Sequence, residues 1–551
     1  MTPSELSQIL LEKTQQWLTE NGHTEIQLEE IALERPKSRD HGDWATTIAL
    51  KIAGSIGTNP RDLGGKLAEL FSGIPGVEEA SVAGPGFINI RLEASNLGAV
   101  AKQIVDAGSA YGTSELNSTK RINVEYVSAN PTGPMHIGHA RWAALGDSIA
   151  RVLEASGADV TTEFYINDAG KQMDLFGESI LAATLGEDAP EGGYKGDYVT
   201  DLANRIKSAG TDLAALPREE AIIAAREAGY ALQLGDLQKV LGDFRARFDV
   251  WFSERTLHAK DSSGNSKISE AVETLREQGH VFEEDGATWV RTTDFGDDKD
   301  RVITRGNGIY TYFAADAAYY LDKKARGYSE KIYLLGADHH GYVHRLKAIA
   351  GAAGDDPNTD LSCIVGQLVT LRGSRLSKRA GNIVEMKDAI DDIGVDSLRY
   401  WLARYPADSP IDLDADTLTS NSNENPVFYV QYAHARTNAV ARKARESGID
   451  GSLFAPETLN HETENALLGE LQQYPLIVEI AAKWREPHRI ARYLEQLAGA
   501  YHRWYDATRV VPSSAEPIES VHHSRLVLNS AAGQVLKNGL NLLGVSAPEK
   551  M

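Results

Sequence analysis

The clearest pattern of apolar and polar positions begins near residue 120, where strands alternate with helices. Apolar side chains at every second position predict a strand over residues 122–126. Spacings of three and four predict a helix over about residues 138–155, and residues 160–166 read as the next strand. A strand, a helix and a second strand in this order form a βαβ unit, so we predict a parallel sheet.

The rest of the chain divides around this sheet. Before residue 95 the pattern predicts a small α+β unit, with helices over residues 6–17 and 44–56 and paired strands over 80–83 and 87–92. Further strands are expected over residues 332–335 and 364–371, a helical insertion over 185–250, and helices beyond about residue 415.

These elements predict a multidomain α/β protein. Its parts are a Rossmann-type parallel-sheet catalytic core, a small N-terminal α+β domain and an all-helical C-terminal domain. The expected boundaries are 1–110, 118–410 (with the insertion at about 185–250) and 411–551.

Composition narrows the class of protein. The chain has 551 residues, more than one core usually organises, and no run of apolar residues long enough for a membrane span. Cys363 is the only cysteine, which excludes an intramolecular disulfide and a zinc site built from several thiolates. The N-terminus lacks a secretory or mitochondrial signal, so a bacterial-type cytoplasm is expected. The net charge of −22 argues against a nucleic-acid partner but does not exclude local basic patches.

The first motif with a chemical meaning lies between the predicted strand and its helix. It reads Asn130-Pro131-Thr132-Gly133-Pro134-Met135-His136-Ile137-Gly138-His139. Ligands of open α/β sheets bind at the carboxyl ends of strands, and a helix N-terminus favours phosphate. Two histidines three residues apart can both donate to phosphoryl oxygens, and Gly138 leaves space for a flat base. Two unrelated surface histidines, or half of a metal site, are the alternatives.

The second motif is a basic loop directly after a predicted strand. It reads Ser374-Arg375-Leu376-Ser377-Lys378-Arg379-Ala380-Gly381-Asn382 and follows the histidines by about 240 residues. A mobile loop of this kind can close over a triphosphate and neutralise the charge that develops on pyrophosphate. Alone it would more often be a solvated turn, but its position on a matching strand end favours the nucleotide.

The two motifs resemble the HIGH and KMSKS signatures of class I aminoacyl-tRNA synthetases. Further segments are similar to the arginyl-tRNA synthetase family in particular, along nearly the whole chain. These segments are residues 35–37 with 41–46, 124–130, 166–170, 310–316, 336–342 and 542–551.

The resemblance implies an enzyme that activates L-arginine with ATP and loads it onto tRNA. His136 and His139 would then stabilise the transition state, and Lys378 would neutralise the pyrophosphate with Mg²⁺ assisting. Gly138, His339, Ser377 and Arg375 would contact ATP, and no metal is expected to be held by protein ligands alone. Many arginyl enzymes lack the loop lysine and carry a lysine before the first histidine; here residues 133–135 contain none, and the loop keeps Lys378.

The same resemblance assigns the amino-acid site. Glu254 and Asp316 would pair with the planar, always charged guanidinium, with Tyr312 packing beside them. Asn130 would hold the backbone groups of the amino acid. Without the family, a surface carboxylate is an equally good interpretation of Glu254.

The helical C-terminal part interleaves cations with aromatic residues over residues 483–509, as single-stranded RNA requires. Alone, such a pattern is more often an amphipathic helix with a buried aromatic face. It resembles the family's anticodon-binding domain, and the residues expected to contact tRNA are Arg436, Arg503, Trp504 and Tyr505. Residues 1–110 resemble the family's added tRNA-binding domain. A monomer is expected.

Three alternatives remain open. The sequence is also compatible with another class I synthetase, with a small-molecule nucleotidylyltransferase that shares the histidine motif, and with a retired tRNA-binding regulator on the same fold. A small transferase would not need the final 130 or so residues. Intact His136, His139 and Lys378 argue against a retired enzyme.

Overall fold

The N-terminal unit is a three-stranded antiparallel sheet covered by helices. The computed structural model describes residues 3–34, 36, 41–337, 340–372, 384–513 and 516–551. The elements of this unit are α1 (Pro3–Glu20), β1 (Trp44–Thr46), α2 (Ile48–Ile56), α3 (Pro60–Ser72), β2 (Val77–Ala83) and β3 (Phe87–Leu92), with the strand order β1-β3-β2. The predicted pair of strands is confirmed. The predicted helix over residues 44–56 is wrong in its first part, because Trp44–Thr46 pairs with β3 through Trp44 and Ile90.

The central sheet has five parallel strands. Its elements are β4 (Arg121–Glu125), α5 (Ile137–Ala155), β5 (Asp159–Ile166), α6 (Lys171–Leu185), α7 (Asp197–Ser208), α8 (Arg218–Asp243), β6 (Val250–Ser253), β10 (Glu330–Leu335), α12 (His340–Ala352) and β11 (Leu361–Val365). The strand order is β11-β10-β4-β5-β6. The chain therefore adds β5 and β6 on one side of β4 and later adds β10 and β11 on the other side. The switch point lies between β4 and β10, where open α/β sheets bind ligands. The Rossmann-type core is as predicted, and α7 and α8 make the region of residues 185–250 mainly helical.

A small antiparallel sheet interrupts the second half of the core. It follows α9 (Arg255–His258) and α10 (Lys267–Glu277) and consists of β7 (Val281–Glu284), β8 (Ala287–Val290) and β9 (Arg301–Thr304). The chain then enters α11 (Tyr312–Ala325), which carries several residues of the site described below.

The strand predicted over residues 364–371 is two strands. β11 ends at Val365, and β12 (Val369–Arg372) leaves the central sheet to pair in parallel with β13 (Ile411–Asp414). The break has a tertiary cause. Gly366 lies against the ring of Trp142 so closely that a Cβ atom would be 1.7 Å from it. The guanidinium of the buried Arg141 also donates a hydrogen bond to the carbonyl of Gln367 at 2.9 Å.

The C-terminal part is helical, as predicted. It comprises α15 (Ala415–Leu418), α16 (Pro426–Glu446), α17 (Glu462–Trp484), α18 (His488–Ala507) and α19 (Ser520–Leu542). Three helices that come earlier in the chain are α4 (Ala94–Ala107), α13 (Met386–Ile393) and α14 (Val395–Ala403). One apolar core runs from the central sheet into this bundle. Among the described residues, no helix has both the length and the apolar character to cross a membrane.

A buried ion pair between α5 and α14 lies where the catalytic core meets the end of the bundle. Asp147 on α5 and Arg399 on α14 are both fully buried and contact each other. Arg399 also donates to the carbonyls of Leu543 and Phe244 at 3.0 Å. Removing one partner of such a pair leaves an uncompensated buried charge, which is strongly destabilising. The helix that begins with the two histidines is thereby attached to the chain that follows α19.

Candidate active site

The chain leaves the carboxyl end of β4 through a strained turn. Val127 and Ser128 have positive φ angles of 69° and 32°, and a β-branched residue rarely adopts such a conformation. The Ser128 hydroxyl donates to Glu125 at 2.9 Å and accepts the backbone N–H of Tyr165 at 3.1 Å. The turn is therefore held by groups from β4 and β5 at the edge where ligands bind.

His136 and His139 hold each other in place at the start of α5. The Nδ1 atom of His136 accepts the backbone N–H of Gly138 at 3.1 Å, and Nδ1 of His139 accepts the backbone N–H of His136 at 3.1 Å. The ring centroids lie 3.9 Å apart. Because each Nδ1 accepts a hydrogen bond, each neutral ring carries its proton on Nε2. The motif thus presents two Nε2–H donors at the positive end of a helix.

Both rings are neutral at neutral pH. Burial lowers the pKa of His136. Burial, with the neighbouring His136 as a second cause, lowers the pKa of His139 to about 3. A phosphate in front of α5 would meet two Nε2–H donors and the N-terminal end of the helix dipole.

Gly138 makes room for a histidine. A Cβ atom at this position would lie 2.8 Å from Cε1 and 2.9 Å from Nδ1 of His136. The space that the sequence assigned to a flat base is therefore needed by the His136 ring. The ATP contact of Gly138 stays a prediction.

Two carboxylates belong to this region: Glu254 follows the last residue of β6, and Asp316 lies within α11. Glu254 is buried, its backbone N–H donates to the carbonyl of Ile166 at 3.1 Å, and His258 Nε2 lies 3.6 Å from its carboxylate. Burial raises the pKa of Glu254. Burial also raises the pKa of Asp316 to about 7, with Glu254 among the further causes. The structure thus brings the two predicted guanidinium partners into one electrostatic cluster.

Tyr165 and Tyr342 complete this cluster, together with Glu125. The Tyr165 hydroxyl interacts electrostatically with Glu254, and the Tyr342 hydroxyl interacts with Asp316 and holds the pKa of that carboxyl down. Sequence reasoning missed all three residues. A signal existed for Glu125, because a carboxylate inside a central parallel strand is buried on either face and needs a partner.

Tyr312 does not pack beside the carboxylates as predicted. It is the first residue of α11, four residues before Asp316, but its side chain is 82% exposed. Asn130 is half-buried at the same edge of the sheet, and its amide donates to Gln172 at 2.5 Å. The arginine contacts of Tyr312 and Asn130 stay predictions.

The basic loop lies outside the described residues, and with it Arg375, Ser377 and Lys378; His339 also lies outside them. The segment that follows the loop is attached to the histidine motif. The Ile137 N–H donates to the Val384 carbonyl at 3.0 Å, and the Met386 N–H donates to the Met135 carbonyl at 2.8 Å.

The segment before the loop is attached to the same helix. Arg141 lies on α5, one turn after the histidines, and its guanidinium donates to the carbonyls of Gln367, Pro406 and Ser409 at 2.9, 2.8 and 2.7 Å. Both described ends of the loop are therefore attached to the helix that begins at the histidine pair.

In the helical domain, Arg436 lies between two aromatic rings. Its guanidinium carbon is 4.7 Å from the centroids of both Tyr432 and Tyr505. Tyr505 and Arg503 are exposed. Trp504 is fully buried, so its predicted tRNA contact is wrong: it lies on the face of α18 that packs into the core.

Comparison with known proteins agrees along the whole chain. The family described as "Arginyl tRNA synthetase N terminal domain" matches residues 4–92, "tRNA synthetases class I (R), catalytic domain" matches residues 100–400, and "DALR anticodon binding domain" matches residues 430–551. The "Arginine--tRNA ligase" of Paenarthrobacter aurescens is 58% identical over 95% of this chain and 94% of its own. That of Renibacterium salmoninarum is 55% identical over 100% of both chains. The chain belongs to the arginyl-tRNA synthetase family.

Solved structures support the same family. A putative arginyl-tRNA synthetase from Campylobacter jejuni is 33% identical, with a TM-score of 0.74 over 84% of this chain and 100% of that one. The Thermus thermophilus arginyl-tRNA synthetase has a TM-score of 0.78 over 99% and 100% of the two chains. At 22% identity it shows the fold alone. The catalytic core is that of a class I synthetase of this family.

Proposed function

We propose that this chain activates L-arginine with ATP to give arginyl-adenylate and pyrophosphate, and then transfers the arginyl group to the 3′ end of its tRNA. The observation that carries this function is the pairing of two sites at one sheet edge. The neutral His136 and His139 donors lie after β4, and the Glu254 and Asp316 carboxylates lie after β6 and on α11.

In the first step, a carboxylate oxygen of arginine attacks the α-phosphorus of ATP, and the bond to the bridging oxygen of pyrophosphate breaks. The protein contributes positioning and charge stabilisation. Two Nε2–H groups at the N-terminus of α5 donate to phosphoryl oxygens as negative charge develops on them. Lys378, from the loop attached to the same helix, neutralises the departing pyrophosphate. ATP enters with Mg²⁺ on its phosphates, which needs few protein ligands.

Arginine is recognised by charge and shape. Glu254 and Asp316 accept hydrogen bonds from the guanidinium, and the bound cation keeps Asp316 ionised against the burial that raises its pKa. Asn130 holds the backbone groups of the amino acid. A neutral analogue would leave the buried Glu254 and the half-buried Asp316 without a cation, so the site rejects it without a separate editing site.

The transfer RNA is bound by the terminal domains. Tyr505 offers an exposed ring on which an unpaired base stacks, Arg503 meets phosphate, and Arg436 holds the Tyr505 ring through a cation–π contact. The N-terminal unit is the added tRNA-binding domain. The monomeric state and the cytoplasmic location stay predictions.

None of the comparisons supports another amino-acid specificity or a retired regulator. The test is charging of total bacterial tRNA with each of the twenty amino acids. We expect arginine alone to be attached. Attachment of a different amino acid would overturn the assignment of Glu254 and Asp316, and no attachment at all would favour the regulator.

A further inference from the structure

A buried lysine lies directly beneath the amino-acid site. Lys323 on α11 is fully buried, and its ammonium group donates to Glu125 at 2.6 Å. The rings of Tyr319 and Tyr333 lie 4.5 and 3.9 Å from the same nitrogen. A buried ammonium group is costly unless it is paired, and here Glu125 and the two aromatic rings offset that cost.

Lys323 shares one face of α11 with residues of the site. Asp316, Tyr319 and Lys323 follow each other at spacings of three and four, so one helix face supplies a predicted guanidinium partner, a ring and the lysine. The partner of Lys323, Glu125, is the last residue of β4, directly before the strained turn.

The ion pair continues into the strained turn. Glu125 uses its second carboxylate oxygen to accept the Ser128 hydroxyl, and the Ser128 oxygen accepts the backbone N–H of Tyr165. The chain of contacts is therefore Lys323, Glu125, Ser128 and Tyr165. Residues 127 and 128 retain positive φ angles only where the surroundings fix them, and this chain supplies the fixing contacts.

The turn is the common support of both halves of the site. On one side it leads to Asn130 and, within eight residues, to His136. On the other it holds the backbone of Tyr165, whose hydroxyl interacts electrostatically with Glu254. We propose that Lys323 is a positioning residue for amino-acid activation, acting through Glu125 and Ser128 on the Val127–Ser128 turn.

Lys323 also sets the charge of the amino-acid site. Burial raises the pKa of the Tyr165 hydroxyl, and the negative charges of Glu254, Asp316 and Glu125 raise it further, so all three carboxylates act on this one group. Lys323 compensates Glu125, which leaves Glu254 and Asp316 for the substrate cation. Without the lysine a third carboxylate would be uncompensated beside them.

The chain provides a matched control. Lys331 on β10 is also buried, pairs with Asp355 at 2.5 Å and lies 5.2 Å from the Tyr320 ring. It stands near the amino end of its strand, away from the carboxyl edge that carries the site. Lys331→Met thus removes a buried, paired lysine without touching the turn, and Asp355 keeps Lys324 as a partner at 2.6 Å.

The experiment compares Lys323→Met with Lys331→Met in arginine-dependent ATP–pyrophosphate exchange, with tRNA present, at a temperature where both variants are folded. For Lys323→Met we expect kcat to fall by about 10- to 100-fold with KM for ATP within about threefold, because a small misplacement of reacting groups acts mainly on kcat. Lys331→Met should keep kcat within about twofold. Equal losses in both variants, or an unchanged kcat in Lys323→Met, would overturn the proposal.

Hydrogen–deuterium exchange gives a readout independent of activity. Peptides that cover residues 126–130 and 165 should exchange faster in Lys323→Met and not in Lys331→Met. Ser128→Ala keeps the Lys323–Glu125 ion pair and replaces Lys323→Met in the test if that variant does not fold. It should show the same faster exchange and a similar fall in kcat. If both single variants fold, their losses should not multiply in the double variant. Multiplying losses, or a Ser128→Ala protein with normal kcat, would contradict the proposed chain.

Discussion

The Nδ1 atom of His139 accepts the backbone N–H of His136, and this contact fixes which nitrogen of His139 carries the proton. His136 cannot move away from the helix N-terminus without breaking the hydrogen bond from its backbone N–H to His139. Since Nδ1 is occupied in both rings, Nε2–H is the donor in both. The motif therefore works as a rigid pair of donors, and either member can be tested by keeping the cap and removing the donor.

His139→Asn makes that separation. The Asn Oδ1 atom can still accept the His136 N–H, so the helix cap is kept, but the Nε2–H donor is lost. We expect kcat of ATP–pyrophosphate exchange to fall by about 100-fold with little change in KM for ATP. The thermal midpoint should stay close to that of the unchanged protein. A variant with normal kcat would show that His139 serves the cap alone.

Asp316 predicts a pH dependence of arginine binding. Its pKa is about 7 in the free protein because of burial, and the guanidinium binds the ionised form. As pH falls through 7 the carboxyl takes up a proton that binding must expel, so the Kd for arginine should be about tenfold higher at pH 6 than at pH 8. Asp316→Asn should bind much more weakly and lose this pH dependence. Equilibrium dialysis with labelled arginine measures both, and an equally steep profile in the variant would contradict the assignment.

The basic loop is tested through Lys378. If this cation neutralises the pyrophosphate leaving group, Lys378→Ala should lower kcat by about 100-fold or more and change KM for arginine little. Lys378→Arg should recover part of the rate, because it restores the charge. A change in KM alone would assign Lys378 to ground-state binding.

Tyr505 and Trp504 are neighbours with opposite exposure and give a paired test of the helical domain. Tyr505→Ala removes an exposed ring, and stacking on one base is worth about 1–3 kcal/mol, so KM for tRNA in charging should rise by about 5- to 150-fold. Trp504→Phe alters only the core and should leave KM for tRNA unchanged. A rise in KM for tRNA in Trp504→Phe and none in Tyr505→Ala would place the RNA elsewhere.

The sequence predicts the elements that rest on local periodicity. The βαβ unit from β4 to β5 was predictable because its alternating strands and its spacings of three and four lie in consecutive residues. β1 was missed because its pairing partner, β3, lies more than 40 residues away. The split between β11 and β12 depends on Arg141 and Trp142, which no local pattern connects to residue 366.

The candidate site also divides into residues that a local motif predicts and residues that only the fold brings together. His136, His139, Glu254 and Asp316 were found by motif, and the structure places each pair together. Trp504 was misassigned because an amphipathic helix alternates buried and exposed aromatic residues, and composition does not say which is which. Glu125, Tyr165 and Tyr342 were missed because they come from different strands and helices that only the fold brings together.

Exchange of labelled pyrophosphate into ATP, measured for each amino acid with and without total tRNA, tests the account most directly. The geometry of the carboxylate pair and the family of the chain predict exchange with arginine alone, and only when tRNA is present. Exchange with another amino acid in place of arginine would contradict the assignment of Glu254 and Asp316 to the guanidinium.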